Sequence, residues 1–103
     1  MERATNALTS CFTKDSNLVT RRIAGETIIV PVRAHVANLD YVYTLNEVGT
    51  LIWELINGRT SVSEIVEAVC SQYDIAPKEA AKDVLDFLGS LEAASLIHPS
   101  VEN

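Results

Sequence analysis

The side chains of this sequence that could do chemistry are few, and their spacing matches no known reaction centre. Cys11 and Cys70 fit no metal-binding spacing. We expect two unpaired thiols, because Cys70 falls on the apolar face of a predicted helix, where a thiol packs as a small hydrophobe. His35 and His98 have no cysteine, aspartate or second histidine at helical ligand spacing, so we expect them on the solvated surface.

Sequence motifs for catalysis are missing as well. The chain contains no glycine-rich phosphate loop and no HExxH, CxxC or GxSxG motif. The sequence therefore predicts neither a metal site nor a cofactor, and it predicts that the protein is not an enzyme. The function must come from a binding surface.

The composition narrows the class of partner. The chain has 103 residues, 48% of them hydrophobic, and a formal net charge of -6. A chain of this size folds as one domain and buries roughly two-thirds of its unfolded surface. Its acidic balance argues against nucleic acid and anionic membranes, because both ligands are polyanions. No run approaches the roughly 18 apolar residues of a membrane span and no signal peptide is recognisable, so we expect a cytoplasmic protein.

Three strands are predicted before the first helix. Residues 1–16 show no hydrophobic period and are expected to be a flexible N-terminal tail. Two β-rich runs flank Gly25, the pattern of a hairpin with glycine in its turn. Pro31 cannot donate to a ladder, so pairing on one side of the second strand is expected to lapse there. After a polar connector at residues 34–40, residues 41–45 alternate as a third strand.

Three helices are predicted after the strands. Asn46 is a good N-cap for the first helix. Ser61 and Glu64 form a capping box, in which each side chain can satisfy a free amide at the start of the second helix. Pro77 suits the first turn of the third helix, which continues over residues 78–93.

The order of these elements predicts an α+β fold. We expect a winged-helix-like domain over residues 17–98, in which a three-stranded antiparallel β-sheet is followed by three α-helices. Residues 99–103 are expected to be a C-terminal tail. The connections are short, so consecutive elements must contact one another.

The third helix has an unusually wide apolar face. Its apolar residues cover an arc of roughly 160°, whereas one contact surface needs roughly 100°. They are Ala80, Ala81, Val84, Leu85, Phe87, Leu88 and Leu91. Either something besides the core lies against this helix, or the helix is wedged between two helices and the sheet. Trp53 leaves a similar choice open, since it could anchor a ligand or pack in the core.

A helix-turn-helix DNA reader is the first alternative that this order of elements suggests. The exposed face of the third helix nets negative and lacks the arginine, asparagine and glutamine side chains that read base edges. That face consists of Lys78, Glu79, Lys82, Asp83 and Asp86. A winged-helix arrangement is compatible with the sequence, but DNA binding is not.

The motifs of the C-terminal half resemble a known family. Residues 44–97 read TLNEVGTLIWELINGRTSVSEIVEAVCSQYDIAPKEAAKDVLDFLGSLEAASLI. This order is similar to that of the PqqD family, which runs LNE, IWELxxG, TVxEIVxxxxxxYDV and DVxxFLxxLxxxGLI. The preceding TRRIAGETIIVPVR resembles the hairpin of that family. Two departures concern helix ends: Ala76 stands in place of a capping serine or aspartate, and Ser95 in place of a glycine.

The resemblance implies a function without catalysis. Members of the family bind the leader of a ribosomally synthesised precursor peptide and present it to a modifying enzyme, often a radical SAM protein. The leader adds as an extra strand to the edge of the third strand and lies in the groove beside the third helix. Those elements match residues 41–45 and 80–91 here. Pyrroloquinoline quinone is not implied as the product.

The residues expected to bind peptide lie on these two elements. They are Tyr41, Val42, Tyr43, Thr44, Leu45, Ala81, Val84, Leu85 and Leu88. Leu85 lies at one margin of the apolar arc and is the favoured groove residue, whereas Leu88 lies nearer the centre of the arc and is expected deeper in the core.

The sequence leaves the class of function and the oligomeric state open. A winged-helix transcriptional regulator or a general protein-interaction module would use the same elements. The chain could be a monomer or a strand-exchanged dimer, because an exposed edge strand can pair with a second copy.

Overall fold

The computed structural model of the protein describes residues 8–32 and 42–100. In chain order the elements are β1 (Phe12–Lys14), β2 (Leu18–Ile23), β3 (Glu26–Pro31), β4 (Tyr43–Leu45), α1 (Glu47–Leu55), α2 (Val62–Tyr73), α3 (Pro77–Ala93) and β5 (Ile97–Pro99). Strands β2, β3 and β4 form a three-stranded antiparallel sheet, and three helices follow it, which confirms the predicted fold class. The connector predicted at residues 34–40 and Tyr41 lie outside the described residues.

Strands β2 and β3 form the predicted hairpin. Their ladder ends at the pair Ile23 and Glu26, so Ala24 and Gly25 make a two-residue loop. Both loop residues have positive φ, 51° for Ala24 and 85° for Gly25. A type I′ turn requires this conformation, and glycine adopts it at no steric cost.

Strand β3 is the centre of the sheet. Its ladder with β2 continues to Pro31, whereas its ladder with β4, within the described residues, ends at the pair of Ile29 and Tyr43. The lapse of pairing near Pro31 therefore falls on the side of β4. This leaves β4 as a short edge strand.

One face of this sheet packs on the helices. Thr27, Ile29 and Leu45 alternate onto that face and are buried. The hydroxyls of Thr27 and Thr50 lie 2.8 Å apart, so the two buried polar groups satisfy each other. The helices and β5 add the remaining core residues, which are Ile52, Trp53, Ile56, Val62, Ile65, Val66, Val69, Ala80, Val84, Leu88, Leu91, Leu96 and Ile97.

Trp53 packs in this core, which decides between its two interpretations. It is 2% exposed, and the Nζ atom of Lys14 lies 5.0 Å from its ring centroid, a cation–π contact. Burial lowers the pKa of Lys14, and the attraction of Glu54 partly opposes that shift. Glu54 also pairs with Arg22. These side chains connect β1 and β2 to α1.

The starts of the first two helices carry the predicted caps. The Oδ1 atom of Asn46 accepts a hydrogen bond from the Gly49 amide at 2.9 Å. The Ser61 amide donates to Glu64 Oε1 at 2.9 Å, and the Glu64 amide donates to Ser61 Oγ at 3.2 Å. Ala76, the N-cap residue of α3, provides no side-chain cap, as the departure at that position indicated.

The N-terminal segment differs from the expected flexible tail. Strand β1 pairs with β5, so residues 12–14 belong to a second, two-stranded sheet. The Gly58 amide donates to the Phe12 carbonyl at 2.8 Å, and the Ser100 amide donates to the Cys11 carbonyl at 2.9 Å. Strand β5 likewise includes the first residue of the expected C-terminal tail. Each strand has three residues, too few to show a hydrophobic period, and the two lie near opposite ends of the chain.

The end of α3 contains a conformation that favours glycine. Ser95 has φ 64°, and the Leu96 amide donates to the Leu91 carbonyl at 2.9 Å, the long bond of a Schellman motif. Left-handed backbone costs a non-glycine residue roughly 1–2 kcal/mol.

We therefore expect Ser95→Gly to raise the free energy of unfolding by about 1 kcal/mol. The melting temperature should rise by several degrees in a domain of this size, which thermal and urea denaturation would measure. Ser90→Gly is the matched control, because Ser90 is an exposed residue inside α3, where glycine lowers stability. An unchanged or lower melting temperature for Ser95→Gly would show that the positive φ is not strained.

Candidate functional site

Strand β4 presents an open edge. In the part of the chain that the structure describes, β3 is its single neighbour in the sheet. Main-chain N–H and C=O groups along such an edge can pair with another extended segment. Beside the edge, Val42 is 51% exposed. The edge is therefore accessible to an added strand.

A groove lies between this edge, the start of α1 and one side of α3. It is lined by Thr44, Leu45, Asn46, Val48, Gly49, Ile52, Asp83 and Phe87. Its volume is about 310 Å³, at the lower end of the range for ligand sites and suited to side chains. Thr44 and Leu45 belong to both the groove and β4, so a strand on that edge would lie beside the groove.

The bottom of the groove depends on a missing side chain. A Cβ atom at Gly49 would lie 3.2 Å from Leu45 Cβ and 3.2 Å from Phe87 Cζ. Both distances are shorter than ordinary van der Waals contact between carbon atoms. Gly49 thus lets the ring of Phe87 approach α1 closely.

One side of α3 faces the groove. Asp83 and Phe87 lie one helical turn apart and both line it. Leu85 is two positions from each of them along the chain. Because two positions correspond to a rotation of about 200° around a helix, Leu85 lies on the other side of α3. Leu85, the residue favoured from the sequence, is 37% exposed and is not among the residues that line this groove, whereas Phe87 is. The apolar arc has two margins, and the packing of β4 and α1 makes a groove at the Phe87 margin.

The other residues predicted on α3 lie in or against the core. Val84 is 0% exposed and Leu88 is 2% exposed. Ala81 is half-buried and packs against the same core. Most of the wide arc is therefore explained by packing between the sheet and the other helices, as the second interpretation of that arc proposed.

The residues predicted on the strand are placed differently. Thr44 and Leu45 line the groove. Tyr43 is the first residue of β4 and is half-buried, and Val42 directly precedes it. Tyr41 lies outside the described residues.

The groove falls within a region that matches a family model. The model of coenzyme PQQ synthesis protein D (PqqD) matches residues 26–97. The chain belongs to the PqqD family. The match contains β3, β4 and all three helices, and therefore every residue that lines the groove. It confirms the resemblance seen in the sequence motifs.

A solved structure shares the fold of this PqqD-family chain. It is described as TbiB1 in complex with the TbiA(beta) leader peptide, and it superposes with a TM-score of 0.72 at 23% sequence identity. The alignment covers 88% of this chain and 99% of that chain. No curated protein matches the sequence. At this identity the likeness concerns the fold alone.

Several residues that line the groove of this PqqD-family chain were not predicted from the sequence as binding residues. They are Asn46, Val48, Gly49, Ile52, Asp83 and Phe87. Phe87 did carry a signal, since it lies in the apolar arc at the margin opposite Leu85. Asp83 precedes it by one turn on the same side. Gly49 carried none, because its contribution is the absence of a side chain.

The cysteine and histidine side chains that the structure describes do not line the groove. Within residues 8–32 and 42–100, no group of three or more histidine, cysteine, aspartate or glutamate side chains could hold a metal ion. His98 Nε2 lies 3.5 Å from Asp15 Oδ1, an ordinary surface contact. Cys11 and Cys70 are free and half-buried. None of the helices in these ranges is long and apolar enough to cross a membrane.

Proposed function

We propose that this PqqD-family chain binds the leader of a ribosomally synthesised precursor peptide and presents it to a modifying enzyme. One observation carries the proposal: a strand edge that no other described strand pairs with lies directly beside a groove with apolar walls. Membership of the PqqD family supports it. The solved structure that shares this fold supports it as well, since it is described as a complex of TbiB1 with a leader peptide.

The proposed binding mode is strand addition at β4. A peptide strand on the open edge gains main-chain hydrogen bonds, and these do not depend on its sequence. Alternate side chains of that strand point to the same face, so every second residue can reach the groove. A large apolar side chain would rest on Phe87 and Val48 above Gly49. The affinity would come from the edge and the selectivity from the groove.

The proposed binding residues follow from this mode. Val42, Tyr43, Thr44 and Leu45 supply the edge, and Phe87 supplies the facing wall. Val84 and Leu88 hold α3 in place from the core, and Ala81 flanks them. Leu85 is left out of the groove.

The role that we propose for the chain is non-catalytic. Binding, rather than reaction, is what a strand edge and an apolar groove can provide. The sequence resemblance favours a radical SAM protein as the enzyme that receives the peptide. A transcriptional regulator is disfavoured, because the exposed side of α3 carries more acidic than basic residues and would repel phosphates.

The test first searches the neighbouring genes for a short precursor peptide, and then titrates isotope-labelled protein with a synthetic copy of its leader. We expect amides of residues 42–45 to gain protection from hydrogen exchange, because an added strand pairs with them. The ring of Phe87 and the methyl groups of Val48 should show the largest shifts, and those of Val84 smaller ones. Shifts confined to α2, with residues 42–45 unchanged, would rule out strand addition at β4.

A further inference from the structure

The groove has one charged wall residue. Asp83 is the single ionisable side chain among the eight residues that line it, and none of the eight is basic. The other walls are apolar or neutral. Among the lining residues, Asp83 is therefore the one that can give the groove a charge preference.

Asp83 has no charged partner among the residues that the structure describes. Its neighbour Asp86 pairs with Lys82 at 3.2 Å, but no ion pair or hydrogen bond engages Asp83 among the described residues. Asp83 is exposed to solvent. A peptide that covered the groove would remove part of its water, and a carboxylate losing water needs an opposite charge.

The spacing along α3 indicates where that charge should lie. Asp83 and Phe87 are separated by four residues of helix, a rise of about 6 Å. Two residues of an added strand span about 6.8 Å and place their side chains on the same face. On a strand that runs alongside α3, a side chain two positions from the one that rests on Phe87 would therefore reach Asp83.

We propose that Asp83 selects leader peptides that carry a lysine or arginine two residues from the large apolar side chain in the groove. This proposal rests on the proposed function and adds the chemical class of its ligand. The net charge of -6 acts in the same direction, because an acidic protein attracts cationic peptides from a distance. Asp83 thus contributes selectivity and association rate more than overall affinity.

The test uses a phage-displayed library of random peptides, because it presents every charge and spacing. The library is selected on wild-type protein and on the variants Asp83→Lys and Glu92→Lys. Glu92 is an exposed residue of α3 about 180° around the helix from Asp83, so its replacement changes the net charge equally but away from the groove. Melting curves establish that both variants are folded.

We expect the wild type and Glu92→Lys to enrich peptides with a large apolar residue and a basic residue two positions away. Asp83→Lys should keep the apolar residue and replace the basic one by aspartate or glutamate. A peptide selected on the wild type should bind Asp83→Lys about three- to tenfold more weakly, with a smaller difference at high salt.

The outcomes separate the two proposals. Enrichment of the apolar residue without any basic preference, unchanged in Asp83→Lys, would overturn the role of Asp83 and leave the proposed function standing. A basic preference lost equally in Glu92→Lys would also overturn it, since net charge alone would then explain the effect. A wild type that enriches no peptide, and whose residues 42–45 do not respond to the synthetic leader, would overturn the proposed function itself.

Discussion

Phe87→Ala is expected to lower the affinity for the leader peptide by about thirtyfold or more. Aromatic side chains in a pocket at the centre of an interface contribute about 2 kcal/mol or more, and each 1.4 kcal/mol corresponds to about tenfold in affinity. Phe87 forms the wall of the groove that faces β4, and its ring reaches Gly49. Fluorescence anisotropy with a labelled leader, or calorimetric titration, would measure the loss.

Leu85→Ala is the matched control for this prediction. Leu85 belongs to the same helix and is also partly exposed, yet it lies on the other side of α3 and outside the groove. Its truncation should change the affinity by less than about threefold, as expected for a residue outside an interface core. Melting curves of both variants would show that lost binding does not reflect unfolding. The opposite result, strong loss for Leu85→Ala alone, would mean that the leader lies on the other margin of α3.

The contrast between Phe87 and Leu85 shows what the sequence could predict of the site. Helical periodicity predicted an apolar arc too wide for one contact surface. It could not distinguish the two margins of that arc, because both are apolar and each is flanked by polar residues. The choice depends on where β4 and α1 pack, and those contacts join residues far apart in the chain.

The fold was more predictable wherever the signal is local. The glycine turn of the hairpin, the Asn46 cap and the Ser61–Glu64 capping box each use residues within a few positions, and all three are present. The β1–β5 pair could not be predicted, since it joins two three-residue strands from opposite ends of the chain. Local chemistry therefore predicted the helices and the hairpin, but not the segment that closes the domain.

Gly49 illustrates why the floor of the groove could not be predicted either. A glycine inside a helix usually lowers the stability by about 0.5–1 kcal/mol relative to alanine. The sequence alone therefore indicates only a position that destabilises α1. In the structure it is buried beneath Phe87 and Leu45, where a Cβ atom would be too close to both. The same residue that weakens α1 locally makes room for the Phe87 ring, which forms a wall of the groove.

Gly49→Val is accordingly expected to damage both binding and stability. The added methyl groups would displace the Phe87 ring or occupy the groove, so the leader affinity should fall by about tenfold or more. Overpacking of this kind lowers the free energy of unfolding by about 1–3 kcal/mol. Urea denaturation and calorimetric titration with the synthetic leader would measure the two effects.

Gly89→Val is the control for Gly49→Val, because it makes the same glycine-to-valine change inside a helix but at an exposed position outside the groove. Gly89 is an exposed glycine of α3, and a Cβ atom there would meet nothing within 4 Å. The same substitution should change the stability by less than about 0.5 kcal/mol and leave the leader affinity intact. If Gly49→Val were destabilised but bound the leader as tightly as the wild type, the space above Gly49 would not hold a peptide side chain. Strand addition at β4 would then have to proceed with the groove empty, and main-chain pairing alone would account for binding.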